Sequence, residues 1–243
     1  MLTVCLDFGN TRLKAALFEG DQLKETKTLS DDELSTITAL LDLWKPQRCI
    51  LSSVIRPYPE LDTMLASRTV FHKINVHTRL NFNINVGKPE TVGADRLALM
   101  AAAVHFFPGR NNLIIGLGSC ITYNFINQYG HFLGGSISPG MDMRFRAMHE
   151  FTAKLPLVES NWNYPLIGYD TKTNLQSGVI CGMVCEIEGI IERYASKYSN
   201  FNVVLTGGNS TYFASQLKNK IFADAQFLFK GLYALSELNN GMV

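Results

Sequence analysis

The sequence predicts an α/β protein made of two copies of one unit, and three observations carry that reading. Short Val/Ile/Leu-rich runs of the kind that form buried strands alternate with longer segments whose apolar residues recur at helical spacing. A Gly-containing turn between two apolar runs, Asp7-Phe8-Gly9-Asn10-Thr11-Arg12-Leu13-Lys14, stands near the start of the chain. Its outline returns about half a chain later as Leu113-Ile114-Ile115-Gly116-Leu117-Gly118-Ser119-Cys120, and each copy continues with a strand, a second turn (Glu19-Gly20-Asp21 and Gln128-Tyr129-Gly130) and a third strand. The expected domains are residues 1–112 and 113–243.

In order along the chain, residues 2–8, 13–19 and 22–28 read as strands. Ser30 with Glu33 reads as a capping box for a helix whose apolar face is Leu34, Ile37, Leu40, Leu41 and Trp44. Residues 49–54 form a short buried strand ending in Ser52-Ser53, and 70–76 another strand. An Ala- and Leu-rich helix over 93–107 is closed by Pro108-Gly109. After the second set of strands, 175–196 reads as a long helix with a stripe of small residues, and 202–205 as a strand ending in Thr206-Gly207-Gly208-Asn209. No Pro- or Ser-rich linker interrupts this order.

Composition permits this architecture and excludes several classes of function. With 243 residues, 47% of them hydrophobic, the chain can form two modest domains with buried sheets. A net charge of +1, with Lys and Arg scattered, gives no electrostatic footprint for nucleic acid. No apolar run approaches the roughly 18 residues of a membrane span and the first residues enter a strand without a secretory pattern, so a soluble cytoplasmic protein is expected. Five cysteines without a Cys-x-x-Cys spacing agree with a reducing compartment. Cys181 and Cys185, four apart on a helix with no neighbouring His, read as packing residues rather than zinc ligands.

Three segments carry chemistry. In the first turn Gly9 lets backbone amides approach an anion, Asn10 and Thr11 add donors, and Asp7 at the strand end can hold a hydrated cation; an ordinary hairpin would have the same outline. In Lys88-Pro89-Glu90-Thr91-Val92-Gly93-Ala94-Asp95-Arg96 the chain breaks just before a helix. Asp95 can there act as a base with Arg96 holding an anion, or it can simply cap the helix. Thr206-Gly207-Gly208, between strand and helix, lets backbone pass close to an adenine or ribose, or is a plain turn.

Taken in order, the first turn, Gly93-Ala94-Asp95-Arg96, Leu133-Gly134-Gly135-Ser136-Ile137-Ser138-Pro139-Gly140, Phe151-Thr152-Ala153-Lys154-Leu155-Pro156, Gln176-Ser177-Gly178 and Thr206-Gly207-Gly208 resemble the motifs of the type III pantothenate kinases across nearly the whole chain. The resemblance implies two duplicated actin-like (ribonuclease H-like) α/β domains with a nucleotide cleft between them, in a homodimer. It implies ATP-dependent phosphorylation of pantothenate to 4′-phosphopantothenate, the first step toward coenzyme A. Carried over by position, Asp7, Phe8, Gly9, Asn10, Thr11, Arg12, Leu13 and Lys14 would line the ATP phosphates, with Asp7 organising Mg²⁺ through water and Ser119 at a phosphate-contacting position. Asp95 would be the general base, and Val86, Gly93, Ala94, Arg96 and Thr171 would seat the substrate.

The chain also departs from that pattern. Gly116 stands where the family usually has an Asp for a monovalent cation, K⁺ or NH₄⁺, so that site is expected to be lost. Asn124 and Asn209 replace common Asp residues, and Val86 replaces a frequent Tyr. The alternative implied is a non-catalytic nucleotide-binding or transcription-accessory relative; retained Asp7, Lys14, Asp95 and Arg96 favour the enzyme.

Overall fold

A computed structural model describes residues 1–239. Tertiary contacts divide the chain into two compact units: Met1–Gly109 with Tyr129–Leu133 and the chain from Gln226 through the last helix form unit 1, and Arg110–Gln128 with Gly134–Ala225 form unit 2.

Unit 1 begins with a meander, β1 (Leu2–Phe8), β2 (Leu13–Glu19) and β3 (Gln22–Leu29). It continues through α1 (Leu34–Trp44), β4 (Arg48–Ser53), α2 (Pro59–Arg68) and β5 (Val70–Lys73). The sheet order is β3-β2-β1-β4-β5, antiparallel through the meander and parallel from β1 to β5. After β6 (Asn83–Ile84), which pairs with His131 and Phe132, and a 3₁₀ turn (Pro89–Thr91), α3 (Ala94–Phe106) follows.

Period-two alternation in β1 decides what faces what. Val4, Leu6 and Phe8 pack with Ile37, Leu40, Leu41 and Trp44 of α1, so Thr3, Cys5 and Asp7 face the other side of the sheet, where α3 meets β4.

Unit 2 repeats the plan. Its elements are β7 (Asn111–Leu117), β8 (Cys120–Ile126), β9 (His131–Pro139, from Gly134 on), α4 (Met141–Glu150), α5 (Thr171–Ala195), β10 (Phe201–Gly207), α6 (Ser210–Gln216) and β11 (Phe222–Ala223). The order β9-β8-β7-β10-β11 is that of unit 1, with β7 antiparallel to β8 and parallel to β10. Its core joins Leu113, Ile115 and Phe125 to Val179, Ile180, Met183 and Ile187 of α5. The last helix, α7 (Phe227–Leu238), belongs to unit 1 and crosses α3 so closely that a Cβ on Gly231 would lie 1.8 Å from the Ala98 carbonyl oxygen.

Local chemistry shifts several expected boundaries. The Ser30/Glu33 box does not form: Ser30 donates to Asp31, Asp31 accepts the Glu33 amide, and α1 starts after Glu33 without a side-chain cap. The long helix starts at Thr171 rather than 175, because Asp170 and Thr173 make a reciprocal capping box there. The strand expected over 70–76 ends at Lys73. Cys185 is exposed rather than packed, while Cys5 and Cys49 are buried; all five thiols are free. No described helix is long and apolar enough to cross a membrane.

Candidate active site

Asp7 is the penultimate residue of β1, paired across the sheet with Lys14 on β2 and Ser52 on β4. Ser52, fully buried, donates its hydroxyl to Asp7 Oδ1 at 3.2 Å. Burial pushes the Asp7 carboxyl up to about 6, the negative charge of Asp95 adds to the rise, and the Ser52 hydrogen bond and Lys14 oppose it. The turn that follows is closed by the Gly9 amide donating to the Arg12 carbonyl at 3.1 Å, and a Cβ on Gly9 would meet that same oxygen at 3.2 Å. Asn10, Thr11 and Arg12 are exposed at its tip, whereas Phe8 and Leu13 turn their side chains into the core, leaving only their backbone to line the turn.

Asp95 lies in the first turn of α3, whose N-cap is Gly93. Its Oδ1 accepts the Arg96 amide at 2.8 Å and folds back over Gly93, where a Cβ would come within 2.6 Å of it. Asp95 therefore does not cap the helix in the usual sense; the missing Gly93 side chain makes room for its carboxylate. The Arg96 guanidinium stacks over Phe132 at 5.6 Å. The charge of Asp95 thus adds to the cost of ionising Asp7 in unit 1, a repulsion that a divalent cation would relieve. In that respect the chemistry of the two acids fits a magnesium ion, although no group of three or more His, Cys, Asp or Glu side chains gathers there among the described residues.

Unit 2 carries the equivalent positions with different chemistry. Gly116 is the penultimate residue of β7, opposite Thr122 on β8 and Thr206 on β10, the same register that sets Asp7 between Lys14 and Ser52. Thr206 is 3% exposed, and its hydroxyl oxygen has no hydrogen-bond partner among the described residues. Where Ser52 finds a carboxylate, Thr206 finds a glycine. Asn124, fully buried, donates its amide to the Ile114 carbonyl and the Thr122 hydroxyl, so it is spent inside the sheet. Gly207, at φ 104°, could not carry a side chain, since a Cβ would lie 2.1 Å from the Leu117 carbonyl oxygen.

A family model described as type III pantothenate kinase matches residues 3–193. The chain belongs to the type III pantothenate kinase family. It is 41% identical over 240 residues to the type III pantothenate kinase of Cytophaga hutchinsonii, covering 98% of this chain and 100% of that one. It is 36% identical to that of Bacteroides fragilis over the full length of both. Among solved structures it is similar to a Campylobacter jejuni protein described as a Baf family transcriptional activator (TM-score 0.63, 20% identity, 97% and 98% of the two chains). It is also similar to a ROK hexokinase from Thermus thermophilus (TM-score 0.53, 13% identity, 98% and 99%). These likenesses show the fold, that of the actin-like kinases.

Against that background of type III pantothenate kinases, Asp7, Lys14, Gly93, Ala94, Asp95 and Arg96 all lie in unit 1, where the charge of Asp95 opposes that of Asp7. Val86, also in unit 1, follows β6 and is partly buried. Ser119 and Gly116 belong to unit 2, as does Thr171, exposed at the first position of α5. Sequence reading passed over Ser52 as a partner of Asp7 and Thr206 as its counterpart. The signal was present in the repeat, since both hydroxyl residues are penultimate in the strand that pairs in parallel with the first strand of their unit.

Proposed function

We propose that this chain transfers the γ-phosphoryl group of ATP to the hydroxyl of pantothenate, giving ADP and 4′-phosphopantothenate in the first step of coenzyme A biosynthesis. The observation that carries the proposal is a buried Asp7 before the first Gly turn whose charge is opposed by Asp95, in a chain of a family whose relatives are named as pantothenate kinases. Asp95, at the N-terminal end of α3 with its Oδ1 accepting the Arg96 amide, takes the hydroxyl proton as the oxygen attacks phosphorus. Arg96 and the backbone of Gly93 and Ala94 seat the acceptor, with Val86 and Thr171 as further substrate contacts. The Gly9 amide closes the turn, so the amides of residues 10–12 and Lys14 hold phosphate oxygens, and Ser119 is read as a phosphate contact from its place in the family motif.

Asp7, one carboxylate oxygen of which accepts the Ser52 hydroxyl, would hold Mg²⁺ through water, and the ion would supply neutralisation of phosphate charge. Little covalent work falls to side chains; alignment and charge neutralisation carry the rate. The monovalent cation that the family resemblance implies meets no carboxylate here, because position 116 is Gly and position 124 is a neutral Asn whose Nδ2 donates within the sheet. We therefore read the enzyme as independent of K⁺ and NH₄⁺. Homodimerisation and a cytoplasmic location complete the proposal.

The test is ADP release with Mg-ATP and pantothenate in sodium, potassium and ammonium buffers. Pantothenate-dependent turnover that Asp95→Asn lowers by about 100-fold or more, with ATP affinity kept, supports the base assignment. Unchanged turnover in Asp95→Asn removes it.

A further inference from the structure

Unit 2 holds a polar network that the phosphoryl transfer does not explain. Tyr123 on β8 is fully buried, and its hydroxyl donates to Glu186 Oε1 on α5 at 2.9 Å. The other oxygen of Glu186 accepts from the Arg144 guanidinium on α4. Arg144 also donates through Nε to the Pro139 carbonyl at 2.9 Å and through Nη2 to the Ser138 hydroxyl at 3.1 Å. Burial pushes the Glu186 carboxyl up, but hydrogen bonds from Arg144, Ser138 and Tyr123 outweigh it and hold the group below its ordinary value. The pair is therefore charged at neutral pH. A half-buried ion pair is a poor source of stability compared with apolar packing, and a Phe would fill the Tyr123 site equally well. The network has another use.

What it holds is the strand-to-helix junction before α4. Pro139 leads into Gly140, whose amide donates to the Ser119 carbonyl at 3.1 Å. A Cβ on Gly140 would lie 2.3 Å from the Gly118 carbonyl oxygen and 2.6 Å from that of Ser119. The junction backbone lies flat against the second Gly turn, and nothing larger than glycine fits between them. The route runs from Glu186 to Arg144, from Arg144 to the Pro139 carbonyl, and from Gly140 to Ser119.

We propose that Arg144, clamped by Glu186, is a positioning residue that fixes the Gly118–Ser119 turn for a nucleotide phosphate through Pro139 and Gly140. The proposal rests on the reading of that turn as a phosphate contact. The planar guanidinium matters because it reaches the Pro139 carbonyl, the Ser138 hydroxyl and the Glu186 carboxylate together; a Lys at 144 keeps the charge but not the fork.

The experiment measures Mg-ATP affinity by calorimetry, KM for pantothenate and melting temperature for the full chain carrying Arg144→Lys, Arg144→Met, Glu186→Gln or Tyr123→Phe. Misplacing a binding turn should weaken Mg-ATP about tenfold in the first three and about twofold in Tyr123→Phe, with the pantothenate KM within about twofold of wild type. A fall in melting temperature with unchanged Mg-ATP affinity means a structural role only and overturns the proposal. Rescue of affinity by Arg144→Lys also overturns it. Should the charge variants not fold, Tyr123→Phe decides by its own affinity. Wild-type protein that binds Mg-ATP but does not phosphorylate pantothenate would sink the functional reading and leave the clamp to be judged on affinity. Wild-type protein that binds no Mg-ATP would sink the clamp as well.

Discussion

Asp7→Asn should make unit 1 more stable at neutral pH, and the size of the gain follows from the charge around one carboxyl. Moving a carboxyl from 3.8 to about 6 costs the folded state about 3 kcal/mol once the group is ionised, at about 1.4 kcal/mol per pH unit. The folded chain holds this proton more tightly than the unfolded chain, so stability falls as pH rises from about 4 to about 6 and stays at the lower level above that. Asn has no proton to lose and its amide oxygen still accepts from Ser52. The variant should therefore match wild type near pH 4 and exceed it by up to about 3 kcal/mol at pH 7.5, or roughly 6–12 °C in melting temperature for a chain of this size. The groups facing Asp7 are Asp95, which adds to the penalty, and Lys14 and Ser52, which reduce it.

The assay is thermal melting without Mg²⁺ at both pH values, followed by Trp44 fluorescence in a Trp162→Phe background, since Trp44 is packed in the unit 1 core. Asp95→Asn should show a smaller gain of the same sign, because it removes only the repulsion. Kinase activity of Asp7→Asn should be lost even as stability rises, the exchange expected where a charged site is held against its own desolvation. A difference from wild type that is equal at the two pH values, or larger at the acid one, would refute this account of the site.

Gly93→Ala should displace the Asp95 carboxylate, which occupies the space the new methyl needs, and lower kcat at least tenfold while leaving the melting temperature within about 2 °C. Gly231→Ala puts a methyl 1.8 Å from the Ala98 carbonyl oxygen; overpacking of about 1–3 kcal/mol should exceed the roughly 1 kcal/mol gained in helix propensity, and a chemical-denaturation midpoint would read the net loss. Gly116→Asp gives the orphaned Thr206 hydroxyl an acceptor in the register where Ser52 meets Asp7, and should make turnover depend on K⁺ or NH₄⁺ where wild type is indifferent. Rates in the three buffers would check both halves of that statement.

Much of the fold was legible because the strands of this chain announce themselves. The meanders of both units and the helix carrying Asp95 follow from apolar runs bounded by Gly turns, and the sheet orders of the two units repeat as the sequence repeat implied. The helices that were passed over lack such a signature. α2 has only Leu61 and Leu65 buried on an otherwise polar surface, and α4 buries Met141 and Phe145 alone. The α7 helix is strongly apolar, but its docking against α3 depends on Gly231 and Ala98, a long-range fit that no local pattern records. In the site, the acids and glycines were readable from the turns they sit in. Ser52 and Arg144 were not, because a hydroxyl at a strand end and an Arg on a helix acquire meaning only from the partner that the fold sets opposite them.

The two units keep one register and have divided one task unequally. Each first strand ends beside a hydroxyl from its parallel neighbour, Ser52 in one unit and Thr206 in the other. In unit 1 that hydroxyl steadies a carboxylate that is costly to bury; in unit 2 the carboxylate is gone and the hydroxyl is left without a partner among the described residues. A buried donor with nothing to bond to costs about 1–3 kcal/mol, and stability alone would favour a Val at 206. Thr206 is thus the residue to change when asking whether the second position still serves the reaction. If Thr206→Val stabilises the protein and leaves turnover intact, the acid work has passed wholly to Asp7. If turnover falls while stability rises, the hydroxyl meets a group that arrives with the nucleotide, and unit 2 still takes part in the chemistry through an uncharged donor.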